Sequence, residues 1–221
     1  MTMTVDQIAK ARRDALLRRW VRDPLQQIAA ESPAALGRLA YLDVDAAGTV
    51  GGLGRRSETS VVVVTPNGNP DPHAASLWVA RGYSGYRAAY AAFLASHYGV
   101  ANAGPQLAAY DIDHLLNRAR SPNTSTFLRI EAIPSHVNQA WGRLFEKTAS
   151  SPDFWANANR ERRTMSWIVA AKLGGQLPPN GPRDETGIRR LAQYFQMIGL
   201  DASEAETGLR SMLDFSYGVA R

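Results

Sequence analysis

The sequence predicts an α+β protein with helices at both ends and strands between them. Two observations carry that class. Segments near both termini follow a helical period, and the middle holds a β-branched run, Ser60-Val-Val-Val-Val-Thr65, with turn residues around it. A third observation concerns residues 109–150, which read as strand, loop, strand and helix in that order. The 221 residues suit a single domain. Its parts are a basic helical segment (1–40), an α+β core (41–150) and a helical C-terminal region (151–221).

The first helix is expected over Val5–Val21, with Ile8, Ala11, Leu16, Trp20 and Val21 on a loose apolar face. Arg12, Arg13, Arg18, Arg19 and Arg22 load the remainder, and they read first as a solvated face and second as phosphate contacts. Pro24 interrupts this helix, and a short one follows from Pro33. Gly48, Gly51, Gly52 and Gly54 lack the Gly-Lys-Ser/Thr ending of a phosphate loop, so a hairpin or turn is expected there, with a phosphate-handling enzyme as the lesser alternative. Pro66–Pro72 is a turn, Ala74–Val79 the return strand, and Ser84–Tyr98 a helix with Ser84 as N-cap and Gly99 just past its end. Tyr86, Tyr90 and Phe93 share a face of that helix and read as core. The C-terminal helices are expected at 152–173, 184–198 and 203–217, with Arg160, Arg162 and Arg163 on a solvated face.

Composition narrows the chemistry. The chain has no cysteine, which excludes disulfides, a Cys-ligated zinc site and a thiol nucleophile. Four histidines leave little room for a multi-histidine metal site. A formal net charge of +5 suits a polyanionic partner. No apolar run approaches the length of a membrane span, and no signal sequence opens the chain, so a cytoplasmic protein is expected, with specialised export left open.

The chemistry-bearing segment is 109–150. Tyr110–His114 is a short strand, Leu115–Thr126 a basic loop, and Phe127–Ile133 a strand with Phe127, Arg129, Glu131 and Ile133 on one face. Ser135 is the expected N-cap of the helix that follows. A helix packed across this hairpin can bring His114 towards Asn138 and towards Asp113 or Asp111. Carboxylate and amide oxygens are hard ligands suited to Mg²⁺. A free histidine titrates near neutrality and can take a proton from water.

These residues resemble the ββα-metal (His-Me finger) nucleases, which include the HNH endonucleases and the DNA/RNA non-specific endonucleases. The non-specific enzymes carry Asp-Arg-Gly-His on the first strand and roughly Asn-Gln-x-x-Trp-x-x-Leu-Glu on the helix. This chain reads Asp111-Ile-Asp-His114 and Asn138-Gln-Ala-Trp141-Gly-Arg-Leu-Phe-Glu146. The Arg-Gly pair is Ile-Asp here, and Trp141 lies one position nearer Asn138 than in the family pattern.

The resemblance implies a ββα-metal-like core and a metal-dependent nuclease using Mg²⁺ or Mn²⁺, with DNA or RNA as substrate. His114 maps to the general base and Asn138 to the metal-ligand asparagine. Asp113 maps to a metal-binding aspartate with Asp111 as its competitor, and Glu146 to the glutamate that orients water. Arg118, Arg120 and Arg129 would contact phosphate, with Arg118 also placed to steady transition-state charge. Bacterial toxins, effectors and mobile-element enzymes are the settings implied, with an immunity or inhibitor protein as a further partner. The alternative is an inactive ββα scaffold that binds nucleic acid or a protein. Bland roles also stand for each residue: a structural hydrogen bond for His114, assistance to the helix terminus for Asn138, and surface pairing with Arg143 or Lys147 for Glu146. His136 reads as a surface residue.

Overall fold

The computed structural model describes residues 3–39, 49–66, 71–118, 121, 126–143 and 163–218. In chain order these form α1 (Val5–Arg22), β1 (Ala29–Ala30), α2 (Pro33–Leu39), β2 (Thr49–Gly52), β3 (Val61–Thr65), β4 (Ser76–Ala80), α3 (Tyr86–Tyr98) and α4 (Ala103–Gln106). Then come β5 (Tyr110–His114), β6 (Phe127–Pro134), α5 (Ser135–Trp141), α6 (Trp167–Leu173), α7 (Glu185–Met197) and α8 (Ala202–Gly218). The fold class is α+β, as the sequence predicts.

All strand pairs are antiparallel, in the order β1-β6-β4-β3-β2 with β5 also on β6. Strand β6 organises the sheet. One of its flanks takes β4, with Ile130 opposite Leu77. The other takes β1 and β5 end to end, with Phe127 opposite Ala30 and Ile130 opposite His114. Because β6 is covered on both flanks and both faces, seven of its eight residues are buried. Among the described residues β5 pairs with no strand but β6, so its outer edge has no strand partner. Arg87 of α3 caps part of the backbone there, donating to the Tyr110 and Leu107 carbonyls at 2.9 and 2.7 Å.

Helix α1 begins at a capping box. The Thr4 hydroxyl accepts from the Gln7 amide and the Gln7 side chain accepts from the Thr4 amide, which satisfies two exposed donors. Its first half, Val5, Ile8 and Ala9, packs with the sheet and α3 around Leu77, Phe93 and Ile130. Its second half, Leu16, Leu17 and Trp20, packs with α5, α6, α7 and α8 around Trp141, Leu191 and Phe195. A smaller cluster lies between α2 and the sheet, centred on Leu36 and Trp78. No described helix is long and apolar enough to cross a membrane.

Several expectations change. The basic face of α1 is not solvated as a whole, because a helix buried on two sides has little solvent to offer. Arg12, Arg13 and Arg19 are buried, and only Arg18 and Arg22 are exposed. Helix α3 is preceded by Gly85 rather than capped by Ser84. No side-chain cap serves α5; its helical turn begins at Ser135 and the Ser135 hydroxyl is used elsewhere. Around residue 164 the chain is extended, with Thr164 bridging to Gln27, so α6 starts only after Ser166, whose hydroxyl accepts from the Val169 amide at 3.4 Å. Residues 152–162 of the expected helix, with Arg160 and Arg162, lie outside the described residues. Gly51 and Gly52 belong to β2 and face β3 in the ladder, which removes them from a phosphate-binding loop.

Candidate functional site

The β5–β6–α5 segment forms a local strand–strand–helix unit. Helix α5 follows β6 without a gap and rests on both strands. Side chains alternate along a strand, so β5 sorts its residues by parity. Tyr110 and Ile112 pack into the cluster with α3, and the His114 ring meets Tyr86 of α3 edge-on at 4.7 Å. Asp111, Asp113 and Leu115 project the other way, towards α5, α6 and the second half of α1.

Asp111 is the hub on that second face. Its Oδ1 accepts from the Ser135 hydroxyl at 2.9 Å and its Oδ2 from the Asn138 side-chain amide at 3.2 Å. Residues three apart in a helical turn share a face, which is why Ser135 and Asn138 reach one carboxylate. The remaining polar atom, Asn138 Oδ1, is buried without a hydrogen-bond partner among the described residues. A buried amide oxygen left open is costly and calls for a donor or a cation. A carboxylate has more acceptor sites than the two hydrogen bonds use. Asp111 and Asn138 therefore fit a hard divalent cation that keeps several waters.

Asp113 does not fit that role. Its Oδ2 lies 2.6 Å from the Lys172 ammonium of α6, and the Lys172 side chain is 4% exposed. A lysine held this close neutralises the carboxylate and opposes a second cation. Among the described residues, no group of three or more His, Asp or Glu side chains is arranged to hold a metal.

His114 is half-buried, and its Nε2 atom is buried without a hydrogen-bond partner among the described residues. Burial, and after it the charge of Arg118, lowers its pKa to about 4. The ring is thus neutral at pH 7, with a nitrogen open to accept or donate according to its tautomer. Parity does not bring His114 onto the face that holds Asp111 and Asn138. His114 and the Asp111–Asn138 pair therefore lie on opposite faces of β5.

Arg129 is corrected too. It is 4% exposed and donates to Glu131 Oε1 at 3.1 and 3.4 Å, so it cannot contact an external phosphate. Glu131, fully buried, also takes a bidentate pair from Arg12 at 2.9 and 3.1 Å and a hydrogen bond from the Tyr90 hydroxyl at 3.3 Å. Arg118 is exposed, as a phosphate-contacting residue must be. Arg120 and Glu146 lie outside the described residues.

Sequence reasoning missed Ser135 as a partner of Asp111, Lys172 as the partner of Asp113, and Tyr86 beside His114. The Ser135–Asn138 spacing was a usable signal for the first. Nothing in the sequence links Lys172 to Asp113, 59 residues apart. In comparisons with protein families, curated proteins and solved structures, nothing matches this chain.

Proposed function

We propose that the chain is a metal-dependent nuclease hydrolysing phosphodiester bonds in DNA or RNA, with its working groups along the outer edge of β5. One observation carries the reading: His114 Nε2 and Asn138 Oδ1, two polar atoms buried without partners among the described residues, belong to the two residues that the family resemblance maps to base and metal ligand. Native proteins rarely leave such atoms open unless a ligand or a reaction uses them.

In this reading Asp111 and Asn138 supply the oxygens for Mg²⁺ or Mn²⁺, and Ser135 fixes the Asp111 carboxylate. The ion, when bound, supplies charge stabilisation to the phosphate and the departing oxygen. His114, neutral at pH 7, accepts the proton of the attacking water as the water's oxygen bonds to phosphorus and the ester P–O bond breaks. Arg118 meets the phosphate from solvent. Asp113 serves structurally, through Lys172.

A second reading has its own support. The Arg129–Glu131 and Asp113–Lys172 pairs satisfy polar groups internally, as an inactive ββα scaffold that binds nucleic acid or a protein would.

The test incubates the purified chain with plasmid and with RNA, with Mg²⁺ or Mn²⁺ and with EDTA. Wild type should cleave only with metal. His114→Ala and Asn138→Ala should each lose roughly 100-fold or more, the scale of one general base. Asp113→Asn should lose far less than Asp111→Asn. Full activity in His114→Ala would overturn this reading, and metal-independent binding without cleavage would support the scaffold reading instead.

A further inference from the structure

Away from β5, a cleft of about 540 Å³ opens between α1, the end of α6 and α7. Its apolar wall comes from Leu17, Leu173 and Ile198, and its charged groups are Lys10, Arg13, Asp14 and Arg18. These charges are not equally committed. Lys10 is closed on Asp14 at 2.6 Å. Arg18 reaches Asp71 only at 3.7 Å. Arg13 is 7% exposed and donates to two backbone carbonyls, Leu173 at 3.1 Å and Ala132 at 2.8 Å. No described carboxylate pairs with it. Its guanidinium also lies over the Tyr110 ring, 5.8 Å from the centroid. A guanidinium held by carbonyls and a ring has no negative charge opposite it, which an anion in the cleft would supply.

The wall carries one more polar group. Tyr194 lies against Gly174, where a Cβ would sit 2.1 Å from the tyrosine hydroxyl oxygen. Gly174 has ordinary helical dihedrals, so a glycine is needed there for space and not for conformation. The space admits a tyrosine hydroxyl with no hydrogen-bond partner among the described residues. Burial, and after it the charge of Asp14, raises the Tyr194 pKa to about 12, so the hydroxyl is a donor at neutral pH.

The geometry points to a second binding site in this cleft, for a small phosphate monoester that carries an apolar or aromatic body. Arg13, Arg18 and the Tyr194 hydroxyl meet the phosphate, while Leu17, Leu173 and Ile198 cover the body. A phosphate monoester carries nearly two negative charges at pH 7 and matches these donors better than a monoanion. The cleft volume is in the range of sites for compact organic ligands. This site is independent of the nuclease reading, since it shares no residue with Asp111, Asn138 or His114.

Calorimetric titration of the full chain tests it, with adenosine monophosphate, adenosine and inorganic phosphate as probes. The nucleotide should bind saturably, inorganic phosphate more weakly, and adenosine more weakly still. The double variant Lys10→Ala/Arg18→Ala, altered only at exposed side chains, should bind the nucleotide roughly tenfold more weakly. Tyr194→Phe keeps the ring and removes one donor, and should lose several-fold. Asp111→Asn should bind as wild type. The inference is overturned if the nucleotide shows no saturable binding into the millimolar range. It is equally overturned if adenosine binds as tightly as the nucleotide, or if the double variant and Tyr194→Phe both match wild type.

Discussion

Glu131→Gln is the perturbation with the largest consequence that the structure lets one calculate. Glu131 and Arg12 are both fully buried, and Arg129 is 4% exposed. Two guanidinium groups share one carboxylate through four contacts of 2.9–3.4 Å. Burial alone would raise the Glu131 pKa, but Arg12 and Arg129 outweigh it and hold the pKa below the usual carboxylate value. The amide keeps shape and volume but cancels the negative charge. It leaves two buried cations facing each other.

Breaking a buried ion pair by removing one partner costs about 3–5 kcal/mol, because the stranded charge keeps its desolvation penalty. Total stabilities run to about 5–15 kcal/mol, so this is about a fifth or more of the whole. For a chain of this size each kcal/mol shifts the melting temperature by about 2–4 °C, giving an expected drop of about 6–20 °C. Urea unfolding followed by circular dichroism measures it, with an unchanged slope showing that the loss lies in the native state. The triple replacement Arg12→Met/Glu131→Leu/Arg129→Met should be milder than Glu131→Gln alone, since it removes every stranded charge. The pH sign follows from linkage. A depressed carboxyl contributes stability above its unfolded pKa, and the contribution is lost as pH falls through the folded value. Wild type should therefore lose acid stability that Glu131→Gln never had. A Glu131→Gln protein within about 1 kcal/mol of wild type would refute the argument, since surface substitutions alone give changes of that size.

Two further outcomes follow from the same geometry. His114 has a folded pKa of about 4 against 6.5 in the unfolded chain, so the unfolded state binds more protons between those values and stability should fall as pH drops from about 6.5 to about 4. His114→Gln should flatten that interval, and an NMR titration of the ring with a midpoint above 6 would contradict it. In α8, Gly208→Ala gains about 1 kcal/mol of helix propensity but puts a Cβ 2.2 Å from Trp167 Nε1. Trp167 is wedged between Trp20 and Phe195, with ring centroids at 5.0 Å from each, so overpacking of about 1–3 kcal/mol should win. A stabilised Gly208→Ala in denaturant unfolding would show that Trp167 yields.

Much of the fold was legible where local pattern and burial agree. The Val61–Thr65 strand, the Tyr86–Tyr98 helix with Gly99 in the left-handed conformation, and the strand–strand–helix order of 110–141 follow from β-branching, helical period and turn residues. Tyr90 and Phe93 are fully buried, as their spacing implies. The arginines of α1 were not legible, because charge in a sequence says nothing of what is packed around it. Arg12 is buried through a carboxylate 119 residues away, and Arg13 through a carbonyl at the same separation. A helix with too little apolar stripe reads as peripheral. Here guanidinium groups that find internal acceptors do the work of apolar residues, their stems packing and their heads bonded.

The candidate site shows the same limit at the scale of one residue. In the sequence Ser135 reads as an N-cap, whereas its three-residue spacing from Asn138 carries both side chains to Asp111. Parity decided the rest. In an extended strand Asp111 and Asp113 share a face and His114 takes the other, so adjacency in sequence separates Asp113 from His114 in space. The family resemblance pairs Asp113 with His114, adjacent residues that an extended strand sends to opposite faces. In this chain the ladder runs through His114, with Ile130 opposite it. On the nuclease reading proposed above, Asp111 and Asn138 would meet the substrate from one face of β5 and His114 from the other. That geometry makes the two faces separately testable. A bulky residue at Ile112, on the α3 face that His114 shares, should disturb α3 packing and His114 together, while leaving the Asp111–Asn138 hydrogen bond in place.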